Sequence, residues 1–194
     1  MRQELGHVRN EREYFYQQDV DLIEKMCRHA DQEERRRRMS EMCQIDDPTI
    51  VATIERLGFN PSTVSLLCLV PAIQVAWARG SVSHAERNRV LAIAHLHGVK
   101  ENTPAYQQLE AWLEEPPSTE FFRGTLRAIR AALDLLHEDE RKTRRDALIE
   151  DCRDVALAAW HLGKMGAAER KVLEDIQMQL EPHQQLAASA GAQG

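Results

Sequence analysis

Ala76-Trp77-Ala78-Arg79-Gly80, followed after four intervening residues by Ala85-Glu86-Arg87, is the stretch of sequence that decides the fold. The same pattern recurs 83 positions along the chain as Ala159-Trp160-His161-Leu162-Gly163 and then Ala168-Glu169-Arg170. The chain contains only three tryptophans, so two of them at one repeated position favour an internal duplication. Later apolar positions also correspond: Val82 with Met165, Val90 with Leu173, and Ile93 with Ile176. Because two copies are too few for a solenoid, we predict two related helix-turn-helix units that pack as a pseudo-two-fold pair.

Helix signals along the rest of the chain predict an all-α fold. No segment shows the sustained alternation of polar and apolar residues that is typical of a β-strand. N-capping residues and first-turn prolines mark helix starts, and glycines mark helix ends. The predicted helices cover residues 9–45, 48–57, 61–79, 84–97, 104–113, 119–136, 139–162 and 167–181. Pro71 lies inside the third and is expected to kink it by removing the hydrogen bond to Leu67.

Composition and charge narrow the classes of protein that the chain can represent. Its 194 residues carry a net charge of −6 at pH 7, which argues against nucleic-acid binding through a basic surface. The four cysteines lack the spacing of a disulfide framework, so we expect reduced thiols and a cytoplasmic protein. The longest apolar run, Val64 to Ala78, contains Pro71 and Gln74 and is shorter than the roughly 20 residues of a membrane span. We therefore expect no membrane span.

The sequence predicts three regions. Residues 1–58 are expected to form an N-terminal helical arm and a short helix, residues 59–181 a helical domain, and residues 182–194 a disordered tail without apolar bulk. The arm is highly charged but carries a sparse apolar stripe at helical spacing, which consists of Tyr16, Val20, Ile23, Cys27 and Ala30. This stripe predicts a surface for a protein partner or for a second copy of the chain.

The pattern around Trp77, with a short loop and then Ala-Glu-Arg before an amphipathic helix, resembles the tellurite-resistance TerB family. The same fold class includes the N-terminal domain of DjlA-type co-chaperones. Residues 61–181 carry the resemblance. It implies a compact TerB-like helical bundle, preceded in this chain by a long N-terminal helix. It also implies a link to stress responses and the binding of a metal through acidic residues near the glycine turns.

This resemblance implies where such a metal would lie. The family pattern has an aspartate directly before the glycine and a glutamate six residues after it. Glu86 and Glu169 occupy the two glutamate positions, whereas Arg79 and Leu162 stand at the two aspartate positions. A hard divalent cation needs several oxygen ligands, and these changes remove one carboxylate from each copy. We therefore predict a degenerate metal site and no resident cofactor.

A second resemblance concerns the arm alone. The pattern Glu13-x-x-Tyr16-x-x-Asp19-x-Asp21-Leu22 is similar to the start of the zeta-type inhibitor subunit of some bacterial ATP synthases. This similarity implies a regulatory subunit that acts by inserting its N-terminal helix into a larger assembly.

The two candidate glutamates also have structural explanations. Glu86 follows Ser83 by three residues, so a capping box accounts for its carboxylate. Glu169 follows Gly166, which offers no side-chain oxygen as an N-cap, but a carboxylate in the first turn of a helix still interacts favourably with the helix dipole. Both glutamates are therefore expected to be structural, with metal binding as the alternative.

Two further groups invite functional interpretations. Trp77 and Trp160 are either a ligand platform or, as we expect, core residues whose indole N–H groups are hydrogen-bonded. The basic run Arg35–Arg38 follows acidic residues at a spacing of four, and the cluster of Lys142 and Arg144 is preceded in the same way. We expect self-paired helix faces rather than anion-binding surfaces.

The sequence contains no signature of an enzyme. Gly163-Lys164 lacks the upstream glycine and the Ser or Thr of a phosphate-binding loop. His161 shares a predicted helix face with Asp154 or Asp151, but no nucleophile accompanies this pair. We therefore predict a non-enzymatic interaction module. The alternatives are a divalent-cation-binding protein of the metal-stress response and an inhibitor-like subunit that acts through its arm.

Overall fold

Helices make up the regular structure of the described part of the chain. A computed structural model describes the backbone of residues 2–159 and 165–181, and the side chains of residues 22, 24–159 and 165–181. Every regular element in these ranges is helical, which confirms the predicted all-α class. The predicted tail, 182–194, lies outside the described residues.

The helices follow the order predicted from the sequence. The α-helices are α1 (Arg2–Cys43), α2 (Pro48–Arg56), α3 (Val70–Ala76), α4 (His84–Leu96), α5 (Pro104–Glu114), α6 (Thr119–Asp134), α7 (Glu138–Ala158) and α8 (Ala167–Gln179). Four of them begin at a residue whose side chain accepts a hydrogen bond from a first-turn N–H: Asp47, Ser83, Thr103 and Ser118. Such caps satisfy backbone donors that have no partner inside the helix.

The predicted helix over 61–79 is wrong in its form. A 3-10 helix, Val64–Leu69, precedes α3, and Pro71 lies in the first turn of α3 rather than in a kinked interior. A proline is tolerated in this turn because its missing N–H would have no partner inside the helix. The chain therefore starts a new α-helix at Val70 instead of bending an existing one.

The chain divides into two compact units, Met1–Arg38 and Met39–Gly194. The first unit contains α1 as far as Arg38, and most of its described side chains are exposed. The second unit contains the last turn of α1 and all later helices. Its core begins at Met39, which is fully buried.

Helix α3 lies at the centre of the second unit. All of its residues except Gln74 are buried, and it packs against α4, α6, α7 and α8. A helix that is apolar on nearly all sides needs neighbours on all sides, which explains its central place. The turn that carries Arg79 directly follows this helix, and Arg79 contacts a first-turn residue of both α4 and α8.

Helices α4 and α8 correspond at the spacing of the sequence repeat. Each contains 13 residues, and each bound of α8 lies 83 positions after the bound of α4. The apolar residues Val90 and Ile93 of α4 are buried, and so are their counterparts Leu173 and Ile176 of α8. The preceding helices differ, because α3 has 7 residues and α7 has 21. This shared burial is what a duplication would produce. The pseudo-two-fold relation of the two helix-turn-helix copies remains a prediction.

Candidate functional site

Glu86 closes the capping box of α4, as predicted. Its backbone N–H donates to Ser83 Oγ at 3.3 Å, and Ser83 N–H donates to Glu86 Oε2 at 2.8 Å. The side chain of Glu86 is nevertheless 0% exposed, which is unusual for a capping glutamate. A fully buried carboxylate is costly unless a positive charge compensates it, so the cap alone does not explain this residue.

Glu169 occupies the corresponding third position of α8. Its N-cap, Gly166, provides no side-chain hydrogen bond, yet Glu169 is only 1% exposed. The two glutamates of the sequence repeat are therefore the charged residues that the described second unit buries most completely.

Arg79 joins these two glutamates. Its Nη2 donates to both carboxylate oxygens of Glu86 at 3.2 Å, and its Nε lies 2.7 Å from Glu169 Oε1. The shorter contact is an ion pair without good hydrogen-bond alignment, because neither carboxylate oxygen of Glu169 accepts a well-directed bond from a described residue. Gly80, with φ of 81°, allows the sharp turn after Arg79. One guanidinium thus contacts two buried carboxylates, one from each copy of the repeat.

This arrangement does not fit a divalent cation. Ca²⁺ and Mg²⁺ require about six oxygen ligands, whereas the cluster offers two carboxylates and already contains a positive charge. Ser83 and Arg79 use the oxygens of Glu86. Within the described ranges, no three His, Cys, Asp or Glu side chains form a group that could hold a metal ion. Leu162, at the second aspartate position of the family pattern, lies outside those ranges.

Trp77 stabilises the turn before Arg79. Its indole N–H donates to the carbonyl oxygen of Trp112 at 2.8 Å, and its ring packs against the core. These contacts confirm the structural interpretation of this tryptophan. Trp112 in turn belongs to an aromatic cluster with Phe59 and Phe121, whose ring centroids lie 5.1–5.9 Å apart. Trp160 is not among the described residues, so its equivalence to Trp77 stays a prediction.

His161, which shares a predicted helix face with Asp154 or Asp151, lies outside the described residues. Its two candidate aspartates have other partners. Asp151 Oδ2 lies 2.8 Å from His97 Nε2, and Asp154 Oδ2 lies 3.1 Å from Arg89 Nη2. Both contacts join α7 to the region of α4, so they act as links between helices.

Arg37, Arg38 and Arg144 of the basic clusters pair with acidic residues of their own helices, although Arg37 does so at a spacing of three rather than four. Arg37 and Arg38 each contact Glu34 at 2.9 Å, and Arg144 contacts Glu140 at 2.8 Å. Each pair of this kind on one helix stabilises the helix by about 0.3–0.5 kcal/mol.

The second unit contains a cavity of about 690 Å³ that no pattern in the sequence indicates. It lies between the end of α1, the 3-10 helix, α6 and α7, and includes His97 and Asp151 on its wall. Its residues come from five separate segments, so no local pattern could have revealed it.

Two of the four cysteines line this cavity. Burial, followed by the nearby charge of Cys68, raises the pKa of the Cys43 thiol to about 11. Cys68 is an exposed residue of the cavity lining, yet desolvation by the surrounding protein raises the pKa of its thiol. Neither thiol is therefore activated as a nucleophile at neutral pH.

Comparison of the chain with protein-family models, with curated proteins and with solved structures finds no match. In the part of the chain that the structure describes, no helix combines the length and apolar character needed to cross a bilayer. The chemistry of the site itself must therefore support any assignment of function.

Proposed function

We propose that this chain is a non-enzymatic, stress-associated TerB-like interaction module in which an arginine takes the place of a metal ion. The supporting observation is the cluster of Arg79, Glu86 and Glu169, in which one guanidinium contacts two fully buried carboxylates. A guanidinium carries a permanent positive charge and several donors in a fixed plane, so it can compensate both acids without any bound ion. In this proposal the cluster holds the bundle together, and function lies in surfaces that bind other molecules.

Calorimetric titration with Ca²⁺, Mg²⁺, Mn²⁺ and Zn²⁺ tests the role of Arg79. The wild-type chain is expected to give no binding heat with any of the four ions. Arg79→Asp removes the guanidinium and adds a carboxylate, so this variant is expected to bind at least one of them. Arg89→Asp is the matched control, since it makes the same charge change at an exposed ion pair. Circular dichroism establishes that each variant is folded.

Micromolar binding by the wild-type chain that is lost in Glu86→Ala with Glu169→Ala would overturn this proposal. It would favour the alternative of a divalent-cation-binding protein of the metal-stress response. A folded Arg79→Asp variant that binds no ion would contradict the kinship with metal-binding TerB proteins, although Arg79 would keep its structural role.

A second candidate function is regulation through α1. Leu22 and Met26 are 56% and 64% exposed, and Cys27 and Ala30 of the predicted stripe are exposed as well. The side chains of the other three stripe residues lie outside the described set. Large apolar side chains at a spacing of four on a charged helix favour docking against another helix. In this candidate function α1 would bind a protein partner, a second copy of the chain, or a larger assembly of the kind that inhibitor subunits regulate.

Sedimentation velocity of the full chain tests self-association through this surface. If α1 mediates it, Leu22→Lys with Met26→Lys is expected to shift an oligomer to the monomer. Gln32→Lys adds charge to an exposed position of the same helix without removing an apolar side chain, so it is expected to change nothing. A monomeric wild-type chain, or an oligomer that the double variant leaves intact, would exclude self-association through these residues.

A further inference from the structure

The cavity beside the end of α1 has the size and the apolar lining that are typical of a small-molecule binding site. Its apolar surface includes buried side chains from the 3-10 helix, α6 and α7, among them Leu67, Ile129, Leu133 and Leu148. A volume of about 690 Å³ lies within the usual range of small-molecule sites, which is about 300–1,000 Å³. Such a space is large enough for an alkyl chain or a small ring system.

The mouth of this cavity exposes apolar surface that a ligand would cover. Met42 and Leu135, which both line the cavity, are 56% and 54% exposed. Burying apolar surface of this kind contributes roughly 25 cal/mol per Å², which is the main driving force for an apolar ligand. These contacts would provide affinity, but they do not select the head group of the ligand.

The charges on the wall favour a positive head group. Asp46 and Asp151 line the cavity, and the exposed Asp46 carboxylate has no hydrogen bond or ion pair with any described residue. Arg144 is the one Lys or Arg among the described lining residues, and it already contacts Glu140 at 2.8 Å and Gln44 Oε1 at 3.4 Å. The acceptor that is available to a ligand is therefore a carboxylate.

The geometry points to a binding site for a small amphipathic cation, in which the apolar body fills the cavity and an ammonium group lies beside Asp46 near the mouth. An anionic amphiphile such as a fatty acid would have to displace Glu140 from Arg144 and approach Asp46 against its charge. A neutral alcohol would gain the apolar contacts but no charge interaction. This site goes beyond the proposed function and does not depend on the Arg79 cluster.

Three probes of equal chain length test the site: decylammonium, decanol and decanoate. Each is titrated into the full chain, the two ions below their micelle-forming concentrations and decanol below its solubility limit. Protection of Cys43 and Cys68 from alkylation reports binding at the cavity, because both thiols line it. Cys27 is exposed on α1 and should not be protected. We expect decylammonium to protect at the lowest concentration, decanol at a higher one and decanoate at the highest.

Substitutions at the cavity separate its apolar and charged contributions. Ala147→Trp places an indole at an exposed lining position and is expected to abolish protection by all three probes. Asp46→Asn is expected to weaken decylammonium binding by about twofold to fivefold, the range of an exposed ion pair, and to leave decanol unchanged. Glu150→Gln makes the same charge change on α7 outside this cavity and is expected to have no effect.

Some results would overturn the inference. These are an absence of protection by any probe, protection that Ala147→Trp leaves intact, and decanoate binding as tightly as decylammonium. Equal weakening by Asp46→Asn and Glu150→Gln would also contradict it, since net charge rather than a defined site would then govern binding.

Discussion

Arg79 Nε lies 2.7 Å from Glu169 Oε1, although the two residues belong to different copies of the sequence repeat. The same guanidinium contacts Glu86 of its own copy at 3.2 Å. Because α4 and α8 each place their glutamate in the first turn, the N-terminal ends of both helices meet at this arginine. The repeat therefore places two buried carboxylates close together, where a positive charge is needed to compensate them. Arg79 of the first copy provides this charge.

Replacing Arg79 by alanine is expected to lower the free energy of unfolding by about 3 kcal/mol, because it leaves two buried carboxylates uncompensated. Chemical denaturation followed by circular dichroism measures this change. Arg89→Ala is the matched control: its ion pair with Asp154 is nearly half exposed and is expected to cost about 1 kcal/mol or less. Equal losses in the two variants would show that the cluster has no special structural role.

The N-caps of α4 and α8 provide a second comparison. Ser83→Ala removes the side-chain oxygen of the capping box and is expected to destabilise the fold by about 1 kcal/mol. Gly166 holds the same position in α8 without a side-chain cap, and Gly166→Ser is expected to stabilise by a few tenths, roughly 0.3 kcal/mol. Thermal unfolding of both variants tests whether Ser83→Ala lowers and Gly166→Ser raises the stability of the fold. A stabilising Ser83→Ala would contradict the capping geometry.

The helix starts could be predicted from the sequence because caps act locally. Asp47 and Ser83 hydrogen-bond to residues two or three positions away, so their effect can be read from neighbouring residues. The prediction for Pro71 is wrong because the sequence does not show whether a proline opens a helix or interrupts one. Here the residues before it form a 3-10 helix, and only tertiary packing determines that choice.

The role of Arg79 depends on contacts that no local pattern encodes. The sequence marked this residue as a departure from the family pattern, since it replaces an expected acid. The pairing with Glu169 requires the packing of α8 beside α3, which joins positions far apart in the chain. One signal was available: a pseudo-two-fold axis would bring the two repeated glutamates together, and buried acids need a compensating cation. No comparable pattern in the sequence indicates the cavity.

The hydroxyl of Thr125 provides a test of the core. Thr125 is 0% exposed, and its Oγ1 has no hydrogen-bond partner among the described residues. Valine has nearly the same shape, so Thr125→Val is expected to raise the free energy of unfolding by about 1 kcal/mol by removing an unsatisfied polar group. Thr125→Ser keeps the hydroxyl and loses the methyl group, so it is expected to destabilise by about 1 kcal/mol. A destabilised valine variant would indicate a hydrogen-bond partner for Oγ1.

Alkylation by iodoacetamide should distinguish Cys43 by its pH dependence. Burial raises the pKa of this thiol from 9.0 to about 11, and only the thiolate reacts. At pH 8 the folded chain is therefore expected to react at Cys43 roughly a hundredfold more slowly than the same cysteine in the unfolded chain, since each pKa unit changes the thiolate fraction about tenfold. Its rate should keep rising up to about pH 11, as peptide mass spectrometry can measure. A rate that levels off near pH 9 in the folded chain would contradict this burial.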